Sequence, residues 1–95
     1  MRKRSRAREL ALQILYQVDL RGPDVLEGIR DMLDRERRDE DVVAYALELV
    51  RGTMEATDDI DRRIRETAEH WDLPRMAVID RNILRMATWE LQQNE

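Results

Sequence analysis

The sequence predicts an all-α domain of about five helices, and three observations carry that expectation. Charged residues make up 40% of the chain and aromatics 4%, a composition that suits long solvated helices and supplies few of the residues a sheet packs. Apolar residues recur at i, i+3, i+4 and i+7 along most of the 95 residues, the spacing of one helix face. Only three glycines and two prolines interrupt the pattern. A chain of this length makes one small domain, spanning 1–95, that buries a little over about 60% of its unfolded surface.

The first helix is marked by Ala7, Leu10, Ala11, Ile14, Leu15 and Val18. A thinner line, Arg8, Leu12 and Tyr16, runs about 100° further round the cylinder. Arg21-Gly22-Pro23 ends the helix near Leu20, because glycine adopts left-handed geometry readily and proline cannot continue a helix. Pro23 suits the first turn of the second helix, whose buried face is Val25, Leu26, Ile29, Met32 and Leu33 as far as about Arg37. The polar run Arg35 to Asp41 is the connection. Asp39 or Asp41 supplies the N-terminal carboxylate of a third helix carrying Val42, Tyr45, Ala46, Leu49, Val50 and Met54. Gly52 within it costs about 1 kcal/mol relative to Ala, which predicts close packing against a neighbouring backbone.

Thr57-Asp58-Asp59 offers the cap of a fourth helix, with Ile60, Ile64, Thr67, Ala68 and Trp71 on one face; the two helices meet at a sharp corner or run nearly continuously. Leu73-Pro74 breaks the chain, since a residue before proline is pushed out of helical geometry. The fifth helix, Pro74 to about Gln92, has one stripe of Met76, Ile79, Ile83, Met86 and Ala87 and another of Ala77, Leu84 and Leu91. A surface helix needs one stripe. This helix is therefore central in the domain or covers a further partner.

Charge is distributed unevenly behind a net −4. Residues 1–8 hold Arg2, Lys3, Arg4, Arg6 and Arg8 and no anion, which leaves twelve Lys/Arg against all twenty-one Asp/Glu in the rest. Cations at a helix N-terminus oppose the macrodipole by about 0.3 to 1 kcal/mol each. Fold stability does not ask for five of them, whereas an anionic partner would; a solubilising tail is the alternative.

Several chemistries lack their parts. His70 is the single histidine and there is no cysteine, so metal ligation, thiolate chemistry and disulfides are not expected. Ser5 is the single serine and has no His-plus-carboxylate arrangement around it. Nothing resembles a glycine-rich phosphate loop. The carboxylates Glu36, Asp39, Glu40 and Asp41, like Asp58, Asp59 and Asp61, read as solvated helix ends, and Met32, Met54, Met76 and Met86 as core filler. Neither a signal peptide nor an apolar run near eighteen residues is present, so the expectation is a soluble cytoplasmic protein, without catalytic activity or cofactor.

Four stretches together resemble the bacterial transcription antitermination factor NusB family. They are Arg4-Ser5-Arg6-Ala7-Arg8-Glu9 with Ala11-Leu12-Gln13-Ile14-Leu15-Tyr16-Gln17; Leu49-Val50-Arg51-Gly52; Ile60-Asp61 with Ile64; and Trp71-Asp72-Leu73-Pro74-Arg75-Met76 leading into Asp80-Arg81-Asn82-Ile83-Leu84-Arg85-Met86-Ala87-Thr88-Trp89-Glu90-Leu91. Their order and spacing cover nearly all of the chain. The resemblance implies a three-helix bundle crossed by part of a second bundle, and a non-catalytic role. Paired with the small-subunit ribosomal protein NusE, such a protein recognises single-stranded boxA RNA and helps keep an elongating RNA polymerase processive on ribosomal RNA. It also implies two further helices beyond the Trp-Glu-Leu position, for which this chain, ending at Glu95, has no counterpart.

On this basis Arg2, Lys3, Arg4, Arg6 and Arg8 are the expected phosphate contacts, with Gln13 and Tyr16 as candidates for base-edge or stacking contact. Tyr16 has packing as its equal alternative. Five phosphate contacts on single-stranded RNA would give a slope of log K on log salt of about −3.5. The ribosomal partner is expected on the acidic helical body. Two other readings stand beside this one: the N-terminal RNA-binding domain of an rRNA methyltransferase, and a helical module that forms a homodimer through the fifth helix without binding RNA.

Overall fold

A computed structural model describes residues 2–68, 70 and 72–93. Among them, five α-helices, α1 (Lys3–Arg21), α2 (Leu26–Arg35), α3 (Glu40–Glu55), α4 (Thr57–Thr67) and α5 (Val78–Gln93), are joined by two single 3-10 turns, Pro23–Val25 and Leu73–Arg75. The all-α expectation holds.

Cross-helix contacts fix the topology. Lys3 on α1 meets Asp41 at the start of α3, so these two helices start at the same end of the bundle. Asn82 donates to Asp19 at 2.7 Å and Arg8 binds Glu90, so α5 runs antiparallel to α1. The main core joins Ala7, Leu10, Ala11, Ile14 and Leu15 of α1 to Ile29 and Leu33 of α2, to Val42, Val43, Ala46, Leu49 and Val50 of α3, and to Met86 of α5. A smaller core unites Ile60, Ile64 and Leu73, with Met76 and Leu84 beside it. The Trp89 ring packs against both cores. This is a three-helix bundle with part of a second one attached through α5.

The punctuation of the chain is largely as the residues dictate. Gly22 takes φ 90° and its N–H bonds the Val18 carbonyl at 2.8 Å, a left-handed helix stop that other residues adopt only with strain. Asp39 caps α3, its carboxylate accepting from the N–H groups of Asp41 at 2.9 Å and Val42 at 3.4 Å. The α2–α3 connection turns at Arg37, the one non-glycine residue with positive φ among the described residues.

Helix α1 starts at Lys3, so the basic residues from Lys3 onward are helical; carboxylates at the start of α3 and on α5 offset the charge that would otherwise weaken these turns. Four expectations are corrected. Helix α2 ends at Arg35 and leaves Met32 exposed. No side chain caps α4: Ala56 forms the corner, and Thr57 bonds back to the Thr53 carbonyl at 2.8 Å within the turn before it. The close neighbour of Gly52 is the Trp89 indole, a side chain where a backbone was expected.

Finally, α5 begins at Val78, because Leu73 is buried beside Ile60 and Ile64 and Met76 is extended, so Pro74 lies in the 3-10 turn. With that start, Asn82 and Met86 face inward and Ile79, Ile83 and Ala87 face out. The helix does touch α1, α3 and α4, and it still leaves apolar surface uncovered. His70 is exposed. Trp71, assigned to the face of the fourth helix, lies outside the described residues.

Candidate nucleic-acid interface

The basic end of α1 divides into two lines once it is helical. Arg2, Arg6 and Gln13 fall near one azimuth, and Arg4 and Arg8 fall on another more than 100° away. The first line faces the start of α3, and the second faces Glu90 of α5 and Tyr45 of α3.

Arg8 lies toward α5. Its Nε and Nη2 grip the Glu90 carboxylate at 2.9, 3.2 and 2.8 Å, the fork geometry in which guanidinium and carboxylate bind best. The Glu90 side chain is 14% exposed, and it also accepts from Tyr45 Oη at 2.5 Å. Arg4 then sits over the Tyr45 ring, 3.8 Å from its centroid, a cation–π placement. Arg8 hydrogen bonding holds Glu90 below the ordinary carboxylate range against the upward push of burial, with Tyr45 and the charge of Arg4 helping. Burial raises the Tyr45 hydroxyl, and its bond to Glu90 raises it further.

Lys3 and Arg6 lie toward α3. Lys3 Nζ is 2.8 Å from Asp41 and 3.3 Å from Asp39, and Arg6 is 4.0 Å from Asp39. The Asp41 hydrogen bond is the main cause that raises Lys3. For Asp39, burial acts upward but is outweighed by the bonds from Lys3 and two backbone N–H groups, which leave it lowered. The Lys3–Asp41 pair is open to water, the Asp41 side chain being 78% exposed; Asp39 is 32% exposed. Exposed pairs contribute little and yield readily to a competing anion. Arg2 makes no side-chain hydrogen bond or ion pair among the described residues.

Gln13 is exposed and lines, with Arg6, Arg37, Arg38 and Asp39, a groove of about 450 Å³ between α1 and the α2–α3 connection. Tyr16 is elsewhere. It borders a small cleft of about 180 Å³ with Leu12, Gln13, Ile79 and Asn82 on the α1–α5 seam, about 12 Å along the axis from Arg8. The structure therefore brings Arg4 and Arg8 together on one side of α1 and Arg6 and Gln13 on another, while Tyr16, exposed beside Ile79, shares its cleft with Gln13 and not with the arginines. Sequence reasoning assigned no binding role to Glu90, Arg37 or Arg38 and read Tyr45 only as part of the face of the third helix. Glu90 and Tyr45 carry no local signal, since their partners are 82 and 41 residues away in the chain; the adjacent arginines sat in a run treated as a connection. Among the described residues no group of His, Asp and Glu is arranged to hold a metal ion, and no helix is long and apolar enough to cross a membrane.

A family profile described as the NusB family matches residues 5–95. The chain belongs to the NusB family. Transcription antitermination protein NusB of Bifidobacterium animalis subsp. lactis is 40% identical over 92 residues, covering 97% of this chain and 60% of that protein. The proteins of the same name from Streptomyces avermitilis and Acidothermus cellulolyticus are 43% and 44% identical, covering 96% of this chain in each case and 65% and 61% of theirs. The chain thus spans somewhat under two thirds of the length of these curated relatives. A chain in a crystal structure described as a plectonemic RNA supercoil superposes with a TM-score of 0.81 at 30% identity, over 100% of this chain and 70% of that one. These relatives are named as transcription antitermination proteins.

Proposed function

We propose that this chain is an RNA-binding transcription antitermination factor that acts in the cytoplasm: with a ribosomal-protein partner, NusE, it takes boxA-type single-stranded RNA and supports processive transcription of ribosomal RNA. The observation that carries the RNA part is the basic end of α1, where Arg2, Arg4 and Arg6 stay exposed and Lys3 is tied down only by solvated carboxylates. The relatives' shared name supports the antitermination part. Four phosphate contacts from these residues give a salt slope of about −2.8. Gln13 in the adjoining groove is the candidate for a base edge.

The protein partner fits a second surface. Tyr16 and Leu20 on α1 and Ile79 and Ile83 on α5 are exposed large hydrophobics on two antiparallel helices, with Asp19 and Asp80 exposed beside them. Apolar residues rimmed by carboxylates suit a basic protein with an apolar anchor. Titration of a boxA-like RNA, with and without the ribosomal protein, tests the proposal. Salt-dependent binding of the RNA, tightened by the ribosomal protein, supports it; no binding by the folded chain in either case overturns it.

A second reading has one observation in its favour. Leu91, with Leu84, Thr88 and Ile64, lines an open groove of about 480 Å³ between α4 and α5, where a second copy would bury apolar surface. Light scattering that reports a dimer, together with absent RNA binding, would favour that module.

A further inference from the structure

We infer that Glu90 determines how many cations of α1 reach RNA: it occupies the fork of Arg8 as a phosphate would, and so withdraws Arg8 from the phosphate-binding set. The inference rests on the RNA-binding reading and divides its five expected cations into free and committed ones.

The division follows from geometry. A phosphate that captures Lys3 has to replace single contacts to Asp41, 78% exposed, and Asp39, 32% exposed. Arg8, its own side chain 42% exposed, keeps Nη1 outside the fork, but a phosphate that takes the Nε–Nη2 edge has to displace a carboxylate whose side chain is 14% exposed. Opening that edge gives up a bidentate, charge-assisted pair at a sheltered carboxylate, although Glu90 keeps the Tyr45 hydroxyl and the charge of Arg4. Such a pair is stronger than a solvated one, so the phosphate gains less at Arg8 than at the open cations. Arg4 differs again: its guanidinium is stacked on a ring, and a ring leaves its N–H groups available to an anion.

The consequence is selectivity. Phosphate contacts contribute affinity without regard to sequence, and base contacts discriminate. By holding Arg8, Glu90 lowers the sequence-blind share of binding and leaves the contribution of Gln13 larger in proportion. Removing the negative charge at position 90 adds one phosphate contact: the slope of log K on log salt steepens by about 0.7, a further loss of roughly threefold between 50 and 200 mM.

The test is a salt titration of a boxA-like RNA and of polyuridine with wild type, Glu90→Gln, Arg8→Gln, the Glu90→Gln/Arg8→Gln double variant, and Arg4→Gln/Arg6→Gln as a control. Glutamine at 90 keeps the shape and an oxygen for Tyr45. Glu90→Gln is expected to bind both RNAs more tightly at 50 mM salt with a slope steeper by about 0.7, and the double variant to return to the wild-type slope. Arg8→Gln alone is expected to leave the slope unchanged, a result that does not depend on how well Glu90→Gln folds. A purely structural Glu90 would leave the slope of Glu90→Gln at the wild-type value. A slope that flattens in Arg8→Gln, or that fails to steepen in folded Glu90→Gln, overturns the inference while the control still shows RNA binding. A salt-independent wild type, with no effect of the control substitutions, overturns the RNA reading and this inference with it.

Discussion

Gly52 on α3 lies directly beneath the Trp89 indole of α5: a Cβ added there would stand 2.6 Å from Nε1 and nearer still to Cε2 and Cζ2. Trp89 touches both cores, so this contact sets the distance between the three-helix bundle and the second one. Glycine in a helix interior costs about 1 kcal/mol relative to Ala. Here that cost is accepted because the ring needs the space. Gly52→Ala is therefore expected to destabilise, with overpacking of about 1 to 3 kcal/mol exceeding the propensity gain. Urea denaturation followed by circular dichroism checks it, and a stabilised variant would contradict the packing described.

The second bundle is held by an ion pair sheltered from water. Arg85 donates to both oxygens of Asp61 at 2.8 and 2.7 Å, and the two side chains are 19% and 15% exposed. Asp61→Ala leaves a guanidinium without its partner and is expected to cost about 3 kcal/mol, whereas Asp61→Leu/Arg85→Leu recovers most of that loss. Denaturation midpoints of the three chains measure this, and additive losses in the double variant would count against it.

Acid should weaken the link between α1 and α5. Glu90 is held below its ordinary pKa chiefly by the hydrogen bonds from Arg8. A carboxyl lowered on folding contributes its stability in full above the unfolded value, near 4.3, and loses it as pH falls through the folded value. Arg8 stays charged throughout. Glu90→Gln is expected to be less stable than wild type by about 1 kcal/mol at pH 7, with the gap closing below about pH 4. A gap that is constant from pH 7 to pH 3 would show that the Glu90 charge contributes nothing.

The exposed apolar surface separates folding from partner binding. Ile79 is on the solvent side of α5, so Ile79→Asp is expected to change stability by no more than about 0.5 kcal/mol. The same substitution is expected to abolish capture of the ribosomal protein while leaving the salt slope for RNA as it was. Retained capture would move the partner to another face.

Local chemistry made the element ends legible. Gly22-Pro23 stops one helix and Asp39 caps another; Leu73-Pro74 marked the break in the chain, but the last helix resumes at Val78 and not at Pro74. The α1 stripe was legible for the same reason, since Ala7, Leu10, Ala11, Ile14 and Leu15 repeat at the period of a single buried face. Long-range relationships were not. That the arginines of the first turns are helical depends on Asp39, Asp41 and Glu90, which carry no mark of their partners in the sequence. The orientation of α5 escaped periodicity because this helix divides its surface among α1, α3 and α4. Two apolar stripes on one cylinder do not say which faces inward, and Asn82, a polar residue, took an inward position by bonding Asp19. At the candidate interface, spacing identified the cations; only the fold distinguishes Lys3, on solvated carboxylates, from Arg8, on a sheltered one.

The basic end of α1 as an RNA surface is the central claim, and the salt dependence of boxA-like RNA binding tests it most directly. Wild type is expected to show a slope near −2.8, about a fiftyfold loss of affinity from 50 to 200 mM salt, and Arg4→Ala/Arg6→Ala a slope near −1.4, about a sevenfold loss. Equal slopes for the two proteins, or a flat response in wild type, would contradict it.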